Sequence, residues 1–134
     1  MTDNSEKRIF RRLMFPPDEI IGATLSLSSY SEEIIKATIL NISEGGLGLK
    51  FNLRETGIIH EGDHLKLETL IGMDPLKILE GVEAEIRWVL HHKSIRGVRA
   101  GCRFINLAET KLAAIREYIS NLMDEKIRKQ DEEF

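Results

Sequence analysis

The strongest constraint on this chain is a change of hydrophobic period. Six short runs alternate apolar with polar residues, and one longer run then repeats at helical spacing. Ile21, Ala23, Leu25 and Leu27 alternate with Gly22, Thr24, Ser26 and Ser28, the two-residue period of a half-buried strand. A second strand is predicted from Ile34 to Ser43, where β-branched residues are frequent, and Gly45-Gly46 interrupts it. Leu47, Leu49 and Phe51 then resume the alternation, and Leu65, Leu67 and Thr69 share one face of a fourth strand. Val82, Ala84, Ile86, Trp88 and Leu90 form the longest alternating run, and Ala100, Cys102 and Phe104 form the sixth. Turns are predicted at Ser28–Glu32, Gly72–Pro75 and His91–Gly97, with a loop from Asn52 to Gly62.

After Asn106 the period becomes helical. Leu112, Ile115, Ile119, Leu122 and Ile127 follow at three- and four-residue steps. Asn106 can cap this helix, with Glu109 as its capping-box partner, and the helix is predicted over about residues 108–129. Its apolar stripe requires a partner, either the sheet of the same chain or a helix of another. Because helices do not alternate with strands, a doubly wound α/β fold is not expected. The pattern predicts a mainly β fold: a six-stranded antiparallel β-barrel with a C-terminal α-helix.

At 134 residues the chain fits one domain, expected over residues 19–130. Residues 1–18 are polar, then basic, and end on Pro16-Pro17-Asp18, so they are expected to form a flexible N-terminal segment. The net charge of −3 argues against a general nucleic-acid binder, for which a basic excess is usual. The single cysteine, Cys102, excludes an internal disulfide and falls in the apolar phase of its strand, as expected for a buried thiol. No signal peptide or membrane span is visible, so a cytoplasmic location without membrane insertion is expected.

Two motifs carry chemistry. Lys7, Arg8, Arg11 and Arg12 fall within six residues. A guanidinium is a flat fork of donors, always charged, that can grip a phosphate, pair with the O6 and N7 edge of guanine, or stack on a base. Taken alone, such a run is more often a solvated charged segment. The second motif is Asn41-Ile42-Ser43-Glu44-Gly45-Gly46. Asn41 and Ser43 are two apart on a predicted strand and so share a face, offering an amide and a hydroxyl. Gly46 suits a turn with positive φ or close approach of a ligand. Taken alone, this is a polar strand end before a Gly-Gly hairpin. Asn41-Ile42-Ser43 also matches a glycosylation sequon, which the lack of a secretion signal sets aside.

Arg8 and Arg12 followed by Asn41, Ser43 and Gly46, on a predicted six-stranded barrel, resemble the PilZ domain family, bacterial receptors for cyclic di-GMP. Lys7 and Arg11 offer a rival register, but Phe10, two residues before Arg12, favours the first. Residues 100–105, Ala-Gly-Cys-Arg-Phe-Ile, also resemble the last strand of that family, and the likeness extends over about residues 6–125. The resemblance implies that Arg8 and Arg12 contact guanines and phosphates, that Asn41 and Ser43 hydrogen-bond a guanine, and that Gly46 shapes the turn. Asn41 stands where many members have Asp, which keeps an acceptor but removes a charge. Lys7 and Arg11 are possible secondary contacts, and a basic residue at Lys7 tilts towards a stacked pair of nucleotides.

The implied function is a non-catalytic receptor with no cofactor beyond its ligand. Its arginine segment orders over the barrel on binding and signals to a downstream protein partner controlling motility, attachment or polysaccharide output. The alternative is a protein-interaction adaptor barrel that binds no nucleotide. A single-stranded nucleic-acid binder is disfavoured by the net charge. His60 and His64 have a spacing seen in zinc sites on helices, but Glu61-Gly62-Asp63 between them is turn-like, so loop histidines are expected; His91-His92 has no ligand cluster nearby. Trp88 lies in the apolar phase of its strand and is expected in the core rather than as a stacking platform. No nucleophile motif or phosphate loop is present.

Overall fold

The computed structural model describes residues 12–15, 20–27, 30–52, 59–72, 74–91 and 97–132. Within them the strands are β1 (Leu13–Met14), β2 (Gly22–Leu27), β3 (Tyr30–Ile42), β4 (Gly46–Phe51), β5 (His64–Ile71), β6 (Glu83–His91) and β7 (Val98–Ile105). Helix α1 spans Glu109–Glu132. The antiparallel order β3-β2-β5-β6-β7-β4 closes through a β3–β4 pairing, so six strands form the barrel. Closure leaves no open barrel edge. The two-residue β1 adds to β3 outside this ring, with Leu13 opposite Ile42 and Met14 opposite Asn41.

Alternation fills the interior as the sequence predicts, but not to the end of every strand. Leu25, Leu49, Leu67, Ala84 and Val98 are fully buried. The pairing register then shifts between Thr24 and Leu25 against β5, between Ile39 and Asn41 on β3, and between Ile86 and Trp88 on β6. Each shift inserts one residue, and an inserted residue exchanges inside for outside in everything that follows. Three expectations are corrected as a result. On β5, Leu70 is buried and Thr69 exposed, so Thr69 does not share the inner face of Leu65 and Leu67. On β6, Trp88 and Leu90 are each 46% exposed and do not belong to the core.

A 3-10 helix over Asp74–Leu79 packs on β5 and adds Leu76 and Leu79, both fully buried, to the core, where the sequence predicted only a turn. Helix α1 packs against this element and β1, burying Ile115, Tyr118 and Ile119. The apolar stripe therefore meets its own chain. The Lys111 ammonium donates to the carbonyls of Ile78 (2.9 Å) and Glu80 (2.8 Å), satisfying acceptors where the 3-10 helix ends. Asn106 is not the N-cap, because the first helical turn is closed on the Ala108 carbonyl. Instead Asn106 takes a left-handed φ of 53° and donates from Nδ2 to Glu83 Oε1 at 3.2 Å, turning the chain from β7 into the helix. Cys102 is buried as expected, and burial pushes its thiol up to about 12.

Candidate ligand groove

The register shifts on β3 and β6 place side chains outside the barrel at matching heights. Continued strict alternation from Ile35, Ala37 and Ile39, all buried, would have sent Asn41 inward. The extra residue, Leu40, reverses the phase, so Ile42 is buried and Asn41 lies partly exposed. On β6 the shift at Arg87 brings Trp88 outside in the same way. Backbone pairing then aligns Asn41 with Gly48, Gly48 with Gly101, and Gly101 with Trp88. One row of four residues crosses four adjacent strands.

The two central glycines are needed because the outer side chains fold over them. A Cβ on Gly48 would lie 2.6 Å from Asn41 Nδ2, and one on Gly101 would lie 2.1 Å from Trp88 Nε1. The result is a flat floor with an amide at one end and an indole at the other. It forms part of a groove of about 510 Å³ whose lining includes Met14, Ile20, Lys50 and Arg99.

Strand β1 fixes the position of Arg12. Leu13 is buried, Met14 is opposite Asn41, and the Phe15 amide donates to the Leu40 carbonyl at 3.1 Å. From this anchored segment Arg12 Nη1 donates to Asn41 Oδ1 at 2.7 Å, a charge-assisted distance. Residues 29 apart in sequence are thus joined at the groove. Residues 12–15 of the segment expected to be flexible are held on the barrel; Lys7, Arg8 and Arg11, like His92, lie outside the described residues.

Ser43 and Gly46 occupy different surroundings. Ser43 is one residue beyond β3 and only 3% exposed, whereas Asn41 is partly exposed. Its amide donates to the Gly46 carbonyl at 2.8 Å, and its hydroxyl accepts from the Gly45 amide at 3.2 Å. The hydroxyl also approaches the Gly46 carbonyl at 3.4 Å. This is a local side-chain staple of the turn. Gly46 is required by strand packing, since a Cβ there would lie 1.9 Å from the Cys102 carbonyl oxygen. Positive φ is not the reason, for Gly46 is not among the positive-φ glycines. Glu44, in the same turn, is ion-paired with Arg116 of α1.

One row beyond the glycine floor, Glu85 joins Arg103 (3.0 Å) and Arg87 (3.3 Å). Partial desolvation raises the Glu85 pKa, but hydrogen bonds and charge from Arg87 and Arg103 outweigh it and hold the carboxyl below its ordinary value. His60 contacts Asp63 within a loop, and no group of three or more His, Cys, Asp or Glu among the described residues could hold a metal ion. No helix among them is long and apolar enough to cross a membrane.

Of the row that crosses the four strands, sequence reading missed Gly48, Gly101 and the outward position of Trp88. A signal existed in the spacing, because Gly48 and Gly101 fall on polar phases of otherwise apolar strands, where a missing side chain leaves room for a neighbour.

Comparison with known proteins agrees with this architecture. The PilZ domain family profile matches residues 6–121. A search of curated proteins finds no match. Among solved structures, the chain is similar to the PilZ domain with c-di-GMP of YcgR from Escherichia coli, at 17% identity and a TM-score of 0.68, covering 93% of this chain and 98% of that one. It is also similar to the Bacillus subtilis inhibitor of motility MotI/DgrA, at 19% identity and a TM-score of 0.63, covering 87% of this chain and 52% of that one. A third likeness is to the K. pneumonia MrkH–c-di-GMP complex, at 14% identity and a TM-score of 0.65, covering 91% and 55%. The chain thus spans about half the length of MotI and MrkH. With a closed six-stranded barrel, a C-terminal helix and a profile match across most of its length, the chain belongs to the PilZ domain family.

Proposed function

We propose that the chain is a non-catalytic receptor for cyclic di-GMP and that the ligand binds in the groove over the Gly48–Gly101 floor. The observation that carries this proposal is the Arg12–Asn41 hydrogen bond, which joins the arginine motif to the Asn-x-Ser-x-x-Gly motif at one site. Arg12 supplies a fixed charge and forked donors suited to a phosphate or a guanine edge. Asn41 supplies an amide able both to donate to and accept from a guanine. Its Oδ1 already accepts from Arg12, so a ligand using both residues shares or replaces that bond. Trp88 supplies a flat, half-open surface on which a purine stacks, an interaction of about 1–3 kcal/mol.

Ser43 and Gly46 act one step back in this mechanism. They set the shape of the turn after β3, and Ser43 reaches a ligand only if the turn opens. Arg8, with Lys7 and Arg11, adds cationic contacts from the segment preceding Arg12. Because β1 already seats Arg12, ordering on binding concerns residues before it. The folded-over segment and nearby α1 form the surface offered to a downstream protein, with motility, attachment or polysaccharide production as outputs.

The single tryptophan reports directly on this site. Cyclic di-GMP is expected to quench Trp88 emission saturably, and cyclic di-AMP to do so much more weakly. An emission spectrum unchanged by cyclic di-GMP would reject the groove as the site; it is the result expected of an adaptor barrel.

A further inference from the structure

The groove holds charge that the Arg12–Asn41 end does not use. Two residues along from the glycine floor, a second row crosses the same strands: Thr38 opposite Lys50, Lys50 opposite Arg99, and Arg99 opposite Leu90. Lys50 and Arg99 both line the groove, and no carboxylate lines it among the described residues. Like charges placed directly opposite on neighbouring strands are unfavourable. Strand β7 shows how such charge is otherwise handled. Arg103, on the outer face of β7 like Arg99, is neutralised by Glu85. Lys50 and Arg99 have no ion pair or side-chain hydrogen bond among the described residues.

We infer that Lys50 and Arg99 form a second anion subsite, which takes a phosphodiester of the bound cyclic dinucleotide on the side of the groove away from Arg12. This inference rests on the receptor function proposed above. Strand spacing places the Lys50 and Arg99 backbone about 8–12 Å from that of Asn41, within reach of one extended dinucleotide once their long side chains are counted. Arg12 then holds one end of the ligand and the Lys50–Arg99 pair the other. A phosphodiester relieves the repulsion between the two cations, so the pair is stabilised only with ligand present. That is the pattern of a binding site rather than of a structural ion pair.

Calorimetric titration of cyclic di-GMP into wild-type protein and the Lys50→Ala, Arg99→Ala and Lys50→Arg variants, at low and high salt, tests this inference. Each alanine variant is expected to bind about tenfold more weakly and with a shallower salt dependence. Lys50→Arg is expected to stay near wild type, and melting temperatures to hold or rise as repulsion is removed. Should an alanine variant fold poorly, Lys50→Gln and Arg99→Gln carry the same comparison. If wild type binds and the alanine variants match its affinity and salt slope, the subsite is wrong and the receptor function stands. If wild type gives no titration, the receptor function falls and the subsite with it.

Discussion

Gly46 and Gly101 lack a side chain for different reasons, and the difference can be measured. At Gly46 a Cβ meets the Cys102 carbonyl oxygen at 1.9 Å, which is backbone on a paired strand. At Gly101 it meets the indole of Trp88, a side chain that can rotate away. Gly46→Ala is therefore expected to cost at least about 2 kcal/mol, because β4 and β7 must move apart. Gly101→Ala is expected to cost less, about 1 kcal/mol or below, while shifting Trp88 emission and weakening ligand binding. Urea unfolding followed by circular dichroism gives the stabilities, and fluorescence gives the indole environment. Equal stability losses would contradict the distinction. Asn41 belongs to the same logic. Its amide can lie across Gly48 because that residue leaves space.

At the scale of elements, the register shifts explain what could be read in the sequence and what could not. The six barrel strands and the C-terminal helix were legible because alternation and helical spacing reflect burial directly. The bulges were not, because an inserted residue leaves no compositional mark. It shows only as a change of phase, and Trp88 and Leu90 continue the apolar pattern of β6 while facing out. The motif singles out Asn41 as a candidate, but its outward position depends on the bulge at Leu40. The spacing puts Asn41 and Ser43 on one face, but nothing in the sequence shows that the Ser43 hydroxyl accepts from the Gly45 amide of its own turn. The pairing of β1 with β3 was equally hidden, since two residues carry no period. It divides the N-terminal segment into an anchored part and a part before it. Hydrogen exchange should show amides of residues 13–15 protected with or without cyclic di-GMP, and amides of residues 6–11 gaining protection only with it. Protection of residues 6–11 that does not depend on ligand would reject an ordering step.

For the whole molecule, an overall charge of −3 coexists with a groove whose charged lining, among the described residues, is Lys50 and Arg99. Bulk charge therefore argues against general binding of polyanions, while local charge favours one small anion of defined shape. The barrel holds the Asn41–Gly48–Gly101–Trp88 row rigidly across four strands. Strand β1 brings a guanidinium to one end of that row. Helix α1 packs beside β1 and is ion-paired through Arg116 to Glu44 in the turn after Asn41. The proposed ligand groove, the anchored arginine and the helix are consequently linked, and the receptor function proposed above uses this link as its route to a partner. The most direct test is a calorimetric titration of cyclic di-GMP into the wild-type chain beside its Arg12→Ala variant. Saturable heat is expected for wild type. Affinity at least about tenfold weaker is expected for a folded Arg12→Ala, the scale of one lost charged hydrogen bond. No heat from wild type at high micromolar ligand, or equal affinity in the two proteins, would contradict the central claim.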